Sequence, residues 1–284
     1  PEKNGDYAFL LHMIKSLKST GRGAVIPPHG VLFRGNAEAT IRKELIKRGY
    51  IKGIIGLPAN LFYGTGIPAC IIVLDKHDAQ ARTGIFMIDA SKGFAKDGPK
   101  NRLRPRDVHQ IVDAFTRQLE VDRYSRMVPV SEIASPKNDY NLNIPRYIDS
   151  SEPEDIQDLH AHLKGGIPNR DLDALRPYWD AFPSLRAQLF KPLREGYSEL
   201  AVDRADIQRT VTDSAEYKQL ATSTEGIVKI WWNKHVDELT AISPSTRPAD
   251  LIQRIGDSLL AAFRTRPLVD EYGVYEQLMG YWND

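Results

Sequence analysis

Three dense apolar runs follow one another between residues 50 and 89: YIKGIIGL (50–57), ACIIVLD (69–75) and GIFMID (84–89). They are rich in β-branched residues and bounded by turn residues, the pattern of strands buried in a sheet. Upstream, Asp6 to Ser19 reads as a helix, with Asp6 at the N-cap and Ala8, Leu11, Met13, Ile14 and Leu17 at helical spacing. Gly21 and Gly23 end it, and a short strand, GAVIP, stops at Pro27-Pro28. A second helix is predicted from Asn36, its cap, to Arg48, with Gly49 closing it. Helix–strand–helix–strand is the order of an α/β sheet with helices on its faces. The link between the runs at Ile51 and Ala69 is too short for a crossover helix. Those two strands are therefore expected to pair antiparallel, at the end of an otherwise parallel sheet.

Further along, Ser91 to Pro105 is polar, and with Arg106 it carries Lys92, Lys96, Lys100, Arg102 and Arg104. A solvated loop is the first reading of such a charge run, and contact with phosphate by Lys100, Arg102 or Arg104 is the second. Asp107 to Leu119 reads as a helix with Val108, Ile111, Val112, Phe115 and Leu119 on one face, and 138–149 as extended chain. After Ser150 strand patterns nearly vanish. Helices are predicted over 156–163, 171–182, 183–190, 203–222, 226–241, 248–264 and 274–282, which places a boundary near residue 150 between a 1–150 α/β domain and a mostly α-helical 151–284 region.

At 284 residues and 42% hydrophobic, the chain has material for one large or two ordinary domains. Its 38 basic and 37 acidic residues leave a net charge of +1, so no global field draws it to nucleic acid or membrane. The one cysteine, Cys70, excludes a disulfide framework and points to the cytoplasm. No apolar run approaches a membrane span. The first residue is Pro1, which suggests a cut from a longer protein.

Several motifs fail on context. Gly21-Arg22-Gly23 follows a helix and opens a strand, and Gly64-Thr65-Gly66 lies between strands; a phosphate-binding glycine loop follows a strand and opens a helix. The seven histidines are scattered; His160 and His162 do not share a helix face, and His109 and His235 are expected on helix surfaces, so no metal site is assigned. Of Trp231-Trp232, one ring is expected in a helical core and the other at its boundary. Tyr272, Tyr275, Tyr281 and Trp282 read as a packing segment. Phe62 and Tyr63 remain, an aromatic pair after a strand end and before a glycine loop, where α/β sheets place ligands. An exposed aromatic there can stack on a base extruded from a duplex; a turn aromatic folded onto its own core is an equal alternative.

The order of these pieces, from DYAFLL (6–11) through AVIPPHGVLF (24–33) and GLPANLFYGTGIPACIIVLDK (56–76), resembles the second half of an amino-methylating, N6-adenine DNA methyltransferase. It resembles most the modification subunit of type I restriction-modification systems, to which GFAKDGPKNRLRPRDVHQIVDAF, NDYNLNIPRYID and PLVDEYGVYEQLMGYW are also similar. The resemblance implies the C-terminal part of a Rossmann-like sheet that uses S-adenosylmethionine. By it, Phe9 lines the adenine side of the cofactor pocket, AVIPPHGVLF lies near the cofactor and target side, and Phe62 stacks on a flipped adenine, with Tyr63 as the alternative stacker. The glycines beside them would let the loop move as DNA enters.

The family's Asn/Asp-Pro-Pro-aromatic motif is absent, since Ile26 precedes Pro27-Pro28 and His29 follows, and so is its Phe-x-Gly-x-Gly loop. This implies a C-terminal fragment with no catalytic residue of its own, inert alone. It also implies as partners duplex DNA, a specificity subunit, a restriction subunit and a second modification subunit. The alternative is a non-catalytic assembly and DNA-contact module; an unrelated Rossmann-like enzyme acting on a small molecule is a third reading. A sheet lacking its first strands would leave an apolar edge, so the isolated chain is expected to self-associate or to lose stability.

Overall fold

A computed structural model describes residues 5–151 and 156–283. The chain divides into two compact units, Pro1–Glu152 and Pro153–Asp284. The first holds α1 (Asp6–Ser16), β1 (Arg22–Val25), α2 (Ala37–Lys47), β2 (Ile51–Gly56), β3 (Cys70–Asp75), β4 (Gly84–Asp89), β5 (Ala95–Asp97), β6 (Lys100–Arg102), α3 (Pro105–Arg117), β7 (Ser125–Pro129) and α4 (Val130–Ile133). The three apolar runs form β2, β3 and β4 at the centre of a five-stranded sheet of order β1-β3-β2-β4-β7.

Successive side chains of a strand point to opposite faces, and here each face has its own core. Ile54, Ile72, Leu74, Ile85 and Met87 face one layer, closed by Tyr7, Leu10 and Ile14 of α1 and Leu45 and Ile46 of α2. Ile55, Phe86 and Ile88 face the other, closed by Ile111 and Ala114 of α3. Burial on both faces explains why these strands read as unbroken apolar runs.

Strand direction corrects the sequence reading. β2 and β3 pair antiparallel as expected, but β1–β3 and β4–β7 are antiparallel too. Among the described residues the parallel pairing is β2–β4. β3 is not at an end of the sheet; it lies between β1 and β2, and its short links on either side reverse the chain where a parallel neighbour would need a crossover. The polar 91–105 stretch is not all loop, since Ala95–Asp97 and Lys100–Arg102 pair as a hairpin.

Other local readings shift as well. Gly5, not Asp6, is the N-cap of α1, whose buried face is Tyr7, Leu10 and Ile14; Leu11 turns outward. Asp6 instead receives a hydrogen bond from Arg34 at 2.7 Å. Asn36 precedes α2 with φ +56° and no side-chain cap. α3 starts at Pro105, and its Val108 and Val112 are exposed rather than core. The 138–149 stretch contains a 3-10 turn at Ile144–Arg146 and buries Leu142, Ile144 and Ile148 in the first core.

The second unit holds α5 (Leu159–Lys164), β8 (Ile167–Pro168), α6 (Asn169–Ala174), α7 (Arg176–Ala181), α8 (Leu185–Leu189), β9 (Phe190–Arg194), β10 (Tyr197–Leu200), α9 (Ile207–Asp213), α10 (Ala215–Thr240), α11 (Pro248–Phe263) and α12 (Glu271–Asn283). Helix dominates, but a three-stranded sheet β8-β10-β9 stands where strands were expected to vanish. α10 runs unbroken through Gly226, and Pro177 marks the start of α7, dividing the helix expected over 171–182. Trp231 packs in the core while Trp232 is about half exposed, as the helical reading required. His235, expected on a surface, is buried: its Nε2 lies 2.9 Å from Ser258 Oγ of α11.

Candidate functional site

β1 and β2 are both antiparallel to β3, and β4 is parallel to β2. So β1, β2 and β4 run the same way, and their carboxyl ends open at one edge of the sheet. The segments leaving that edge are Ile26 to His29, Leu57 to Phe62, and Ala90 to Lys92. Backbone bonds tie the first to the Pro68–Cys70 segment that follows the aromatic loop into β3. His29 N donates to Pro68 O at 3.0 Å and Cys70 N to Pro27 O at 3.0 Å, while Pro28 and Ala69 form a β-bridge.

Between them lies a shallow, mainly apolar cavity of about 250 Å³, lined by Ile26, Pro27, Pro28, Phe62, Thr65 and Ile67 among others. Phe62 is 39% exposed and Tyr63 94%. The sequence alternative of an aromatic folded onto its own core therefore fails for Tyr63, while Phe62 has one side on the cavity. Gly64, at φ +80°, turns the chain between them and β3.

The β5–β6 hairpin reaches this loop. Lys100 Nζ donates to Phe62 O at 2.7 Å and to Thr65 O at 3.0 Å. Asn101 Nδ2 donates to Ala59 O at 2.7 Å, and Asn101 N to Asn60 O at 2.9 Å. The three basic residues singled out in the sequence thus part company. Lys100 serves the loop. Arg104 forks onto Asp107 through Nε at 2.8 Å and Nη2 at 2.9 Å, locking the start of α3. Burial of Asp107 works against its charge, yet the Arg104 side chain and backbone hold its carboxyl below the usual range. Arg102 stays exposed, 3.9 Å from Asp97.

His29 and Asp89 also face this edge, and neither was singled out as a site residue in the sequence. Asp89 accepts from Ser150 Oγ at 2.6 Å and from Ser91 N at 3.0 Å. Burial lowers the His29 pKa, outweighing the pull of Asp89, so the ring is neutral at pH 7; its Nε2 is buried with no hydrogen-bond partner. Asn101 was likewise missed, because nothing local in a polar hairpin marks a contact 42 residues away in sequence.

Phe9 is 72% exposed on α1 and does not line the cavity beside Phe62. For a nucleoside cofactor, it fits one aromatic wall and not a complete site. Among the described residues no group of three or more His, Cys, Asp or Glu could hold a metal ion, and no helix is long and apolar enough to cross a membrane. Burial pushes the Cys70 thiol up to about 12, which leaves it unreactive.

Residues 1–156 match the N-6 DNA methylase family. The chain is similar to the methylase subunit of the type I restriction enzyme MpnII of Mycoplasma pneumoniae, 33% identical over 159 residues, 56% of this chain and 29% of that one. It is also similar to the MjaVII methylase subunit of Methanocaldococcus jannaschii, 33% identical over 168 residues, 58% of this chain and 28% of that one. Among solved structures, the methyltransferase subunit of a type I restriction-modification system from Streptococcus thermophilus aligns at 45% identity and TM-score 0.49, over 52% of this chain and 31% of that one. The matches thus span about three-tenths of each of these relatives' lengths. The family match covers more than half of the chain: the chain belongs to the N-6 DNA methylase family.

Proposed function

We propose that this chain is the acceptor-side part of a type I restriction-modification methyltransferase subunit, which as a whole transfers a methyl group from S-adenosylmethionine to adenine N6 in duplex DNA. The observation that carries this is the aromatic loop of a methylase-family chain, with Phe62 beside an apolar cavity at the carboxyl edge of the sheet. Phe62 offers a face to an extruded adenine, Pro27 and Pro28 wall the pocket, and Tyr63 is the second aromatic within reach. Base–aromatic stacking is worth about 1–3 kcal/mol, enough to hold a flipped base against its own duplex. S-adenosylmethionine, when bound, supplies the methyl group; Phe9 would face its adenine.

In this reading residues 1–150 are the C-terminal part of a Rossmann-like methyltransferase domain and residues 151–284 a helical region that follows it. The central sheet with helices on both faces supports that assignment. The Asn-Pro-Pro-aromatic group that would orient the adenine amine lies outside this sequence, so this chain alone is inactive. The protein works in the cytoplasm. Its partners are duplex DNA, a specificity subunit that reads the target, a restriction subunit and a second modification subunit.

Methylation by the gene-length protein with its specificity subunit, followed with labelled S-adenosylmethionine, tests the reading. Phe62→Ala should lower kcat/KM about 5- to 150-fold, the stacking range above, with Tyr63→Ala smaller. Equal activity in Phe62→Ala, or methylation by this chain alone, would overturn it.

One observation favours the assembly-module reading. The second unit carries an apolar groove of about 580 Å³ lined by Trp231, Trp232, Leu278, Tyr281 and Trp282 among others. A gene-length protein that binds the specificity subunit but never methylates would select that reading.

A further inference from the structure

The 62–65 turn, which carries both aromatics, is spanned by one long backbone hydrogen bond, Asn60 N to Gly66 O at 3.4 Å. Inside that bond one ammonium ties its two ends. Lys100 Nζ sits between the carbonyls of Phe62, at 2.7 Å, and Thr65, at 3.0 Å, on either side of Tyr63-Gly64. Asn101 next to it is only 7% exposed and clasps the loop's entry, with Nδ2 on Ala59 O and its own N–H on Asn60 O. The two residues lie on β6, held in a hairpin with Asp97 opposite Lys100. Four hydrogen bonds thus pass from one short hairpin to one short loop, two of them charge-assisted and so stronger than neutral ones.

We propose that the β5–β6 hairpin is a strap, and that Lys100 and Asn101 are positioning residues that hold Phe62 in its base-receiving conformation. The proposal rests on the stacking role given to Phe62 above. It reassigns the cation from phosphate contact to loop geometry. An ammonium committed to two carbonyls has one proton left and is turned toward its own chain. Without it those carbonyls return to water, the turn keeps only the long Asn60–Gly66 bond, and Phe62 samples orientations that do not receive the base. Misplacement of a positioning group by about 1 Å can lower a rate by about a hundredfold.

The two roles separate in solution. A lysine on phosphate releases a counterion, and its loss lowers the slope of log K against log salt by about one. A strap lysine leaves that slope unchanged. The test uses the gene-length protein with its specificity subunit, on DNA with 2-aminopurine at the target adenine. Lys100→Met keeps the stem and removes the cation. It should lower kcat about tenfold, raise 2-aminopurine fluorescence in the complex as stacking is lost, and leave the salt slope as in wild type. Asn101→Ala, which removes no charge, should act in the same direction. A Lys100→Met protein with wild-type kcat and a salt slope lower by about one overturns the strap in favour of phosphate contact. Amide exchange of residues 60–67 needs no methylation: it should speed up in Lys100→Met, and unchanged exchange overturns the strap by itself. If the wild-type protein transfers no methyl group while the exchange still responds, the functional reading falls and the strap stands.

Discussion

The two units bury their cores in different ways. The sheet unit has one apolar layer on each face of β2 and β4, closed by α1 and α2 on one side and α3 on the other. The helical unit has two smaller clusters, one around Phe182, Leu185 and Leu189, the other around Trp231, Leu251, Ile255, Leu259 and Phe263. α10 is 26 residues long and fully buries only Trp231 and His235; Ile230, on the same helix, is 72% exposed. A strand buried on both faces leaves little freedom in composition. A helix that buries a narrow stripe leaves most of its surface open to other uses. The molecule provides a clean way to watch the units separately, because all four tryptophans, Trp179, Trp231, Trp232 and Trp282, lie in the second unit.

The largest effects should come from emptying each core. Phe86 is 1% exposed and meets Phe115 edge-on, ring centroids 6.1 Å apart. Phe263 is its counterpart at 1%. Either substitution to alanine should cost about 3–5 kcal/mol. In urea, Phe263→Ala should move the tryptophan fluorescence transition, while Phe86→Ala should move exchange of the β2 and β4 amides and leave the tryptophan signal in place. If both probes shift together in both variants, the units unfold as one and the comparison fails.

The next contrast puts one substitution in both places. A Cβ at Gly53 would lie 2.7 Å from the Phe86 carbonyl oxygen and 2.5 Å from Phe115 Cε2. The carbonyl belongs to the neighbouring strand and cannot move alone, so Gly53→Ala should destabilise the sheet unit by about 1–3 kcal/mol. At Gly256, in the middle of α11, the obstacle is the far end of the Tyr275 ring at 2.7 Å. That ring can swing, and alanine favours a helix interior over glycine by about 1 kcal/mol. Gly256→Ala should therefore be close to neutral by urea denaturation. A large loss there would mean that Tyr275 is as immobile as sheet backbone.

The adjacent tryptophans sharpen the picture inside the helical unit. Trp231 Nε1 donates to Ile255 O at 3.1 Å in a buried contact, and Trp231→Phe should cost about 1–2 kcal/mol. Trp232 is 49% exposed, and Trp232→Ala should stay within about 0.5 kcal/mol. Equal losses would place Trp232 in a contact that its exposure hides.

These contrasts track what the sequence could disclose. β2, β3 and β4 were legible because burial on both faces forces apolar, β-branched runs. The antiparallel pairing of β2 and β3 was legible from their short link, but the reversed β1–β3 and β4–β7 pairings were not, because they depend on which strands become neighbours rather than on composition. β9, FKPLR, escaped because it is half-exposed and interrupted by Pro192, and β6 because its register shows only in pairing with β5. At the site, Phe62 and Tyr63 were legible as aromatics between a strand end and glycines. Lys100 was legible as a charge but not as a loop contact, since its partner carbonyls lie 35 and 38 residues upstream. His235 was misread because a histidine in a charged helix reads as surface until α11 is laid against it.

The smallest effect should be the pH dependence, in which the units share one step and differ in another. Burial, reinforced by Lys234 and Arg254, lowers the His235 pKa. Glu238 Oε2 lies 3.5 Å from its Nδ1, but Glu238 is itself engaged by Arg254, so the ring is held neutral. A histidine whose folded pKa is lowered takes its proton more readily in the unfolded chain. Its contribution is whole above the usual value near about 6.5 and is lost as pH falls below it. The sheet unit has a half-buried histidine with a lowered pKa too, His29, and lowered carboxylates besides. Burial of Asp75 opposes its charge, but the His77 amide, Lys52 and Arg22 more than offset it, and Asp107 is held likewise by Arg104. Lowered carboxylates stabilise above the ordinary carboxylate pKa, about 3.9, and that stability is lost as pH falls through their folded values. From pH 7 to 5, then, both units should weaken, the helical one through His235 and the sheet through His29, and the sheet should show a second loss below about pH 4 as its carboxylates are protonated. His235→Gln should flatten the first step in the tryptophan signal and leave both steps of sheet exchange, where His29→Gln should flatten the first. A sheet that still weakens between pH 7 and 5 in His29→Gln would mean that its response there is set by groups other than His29.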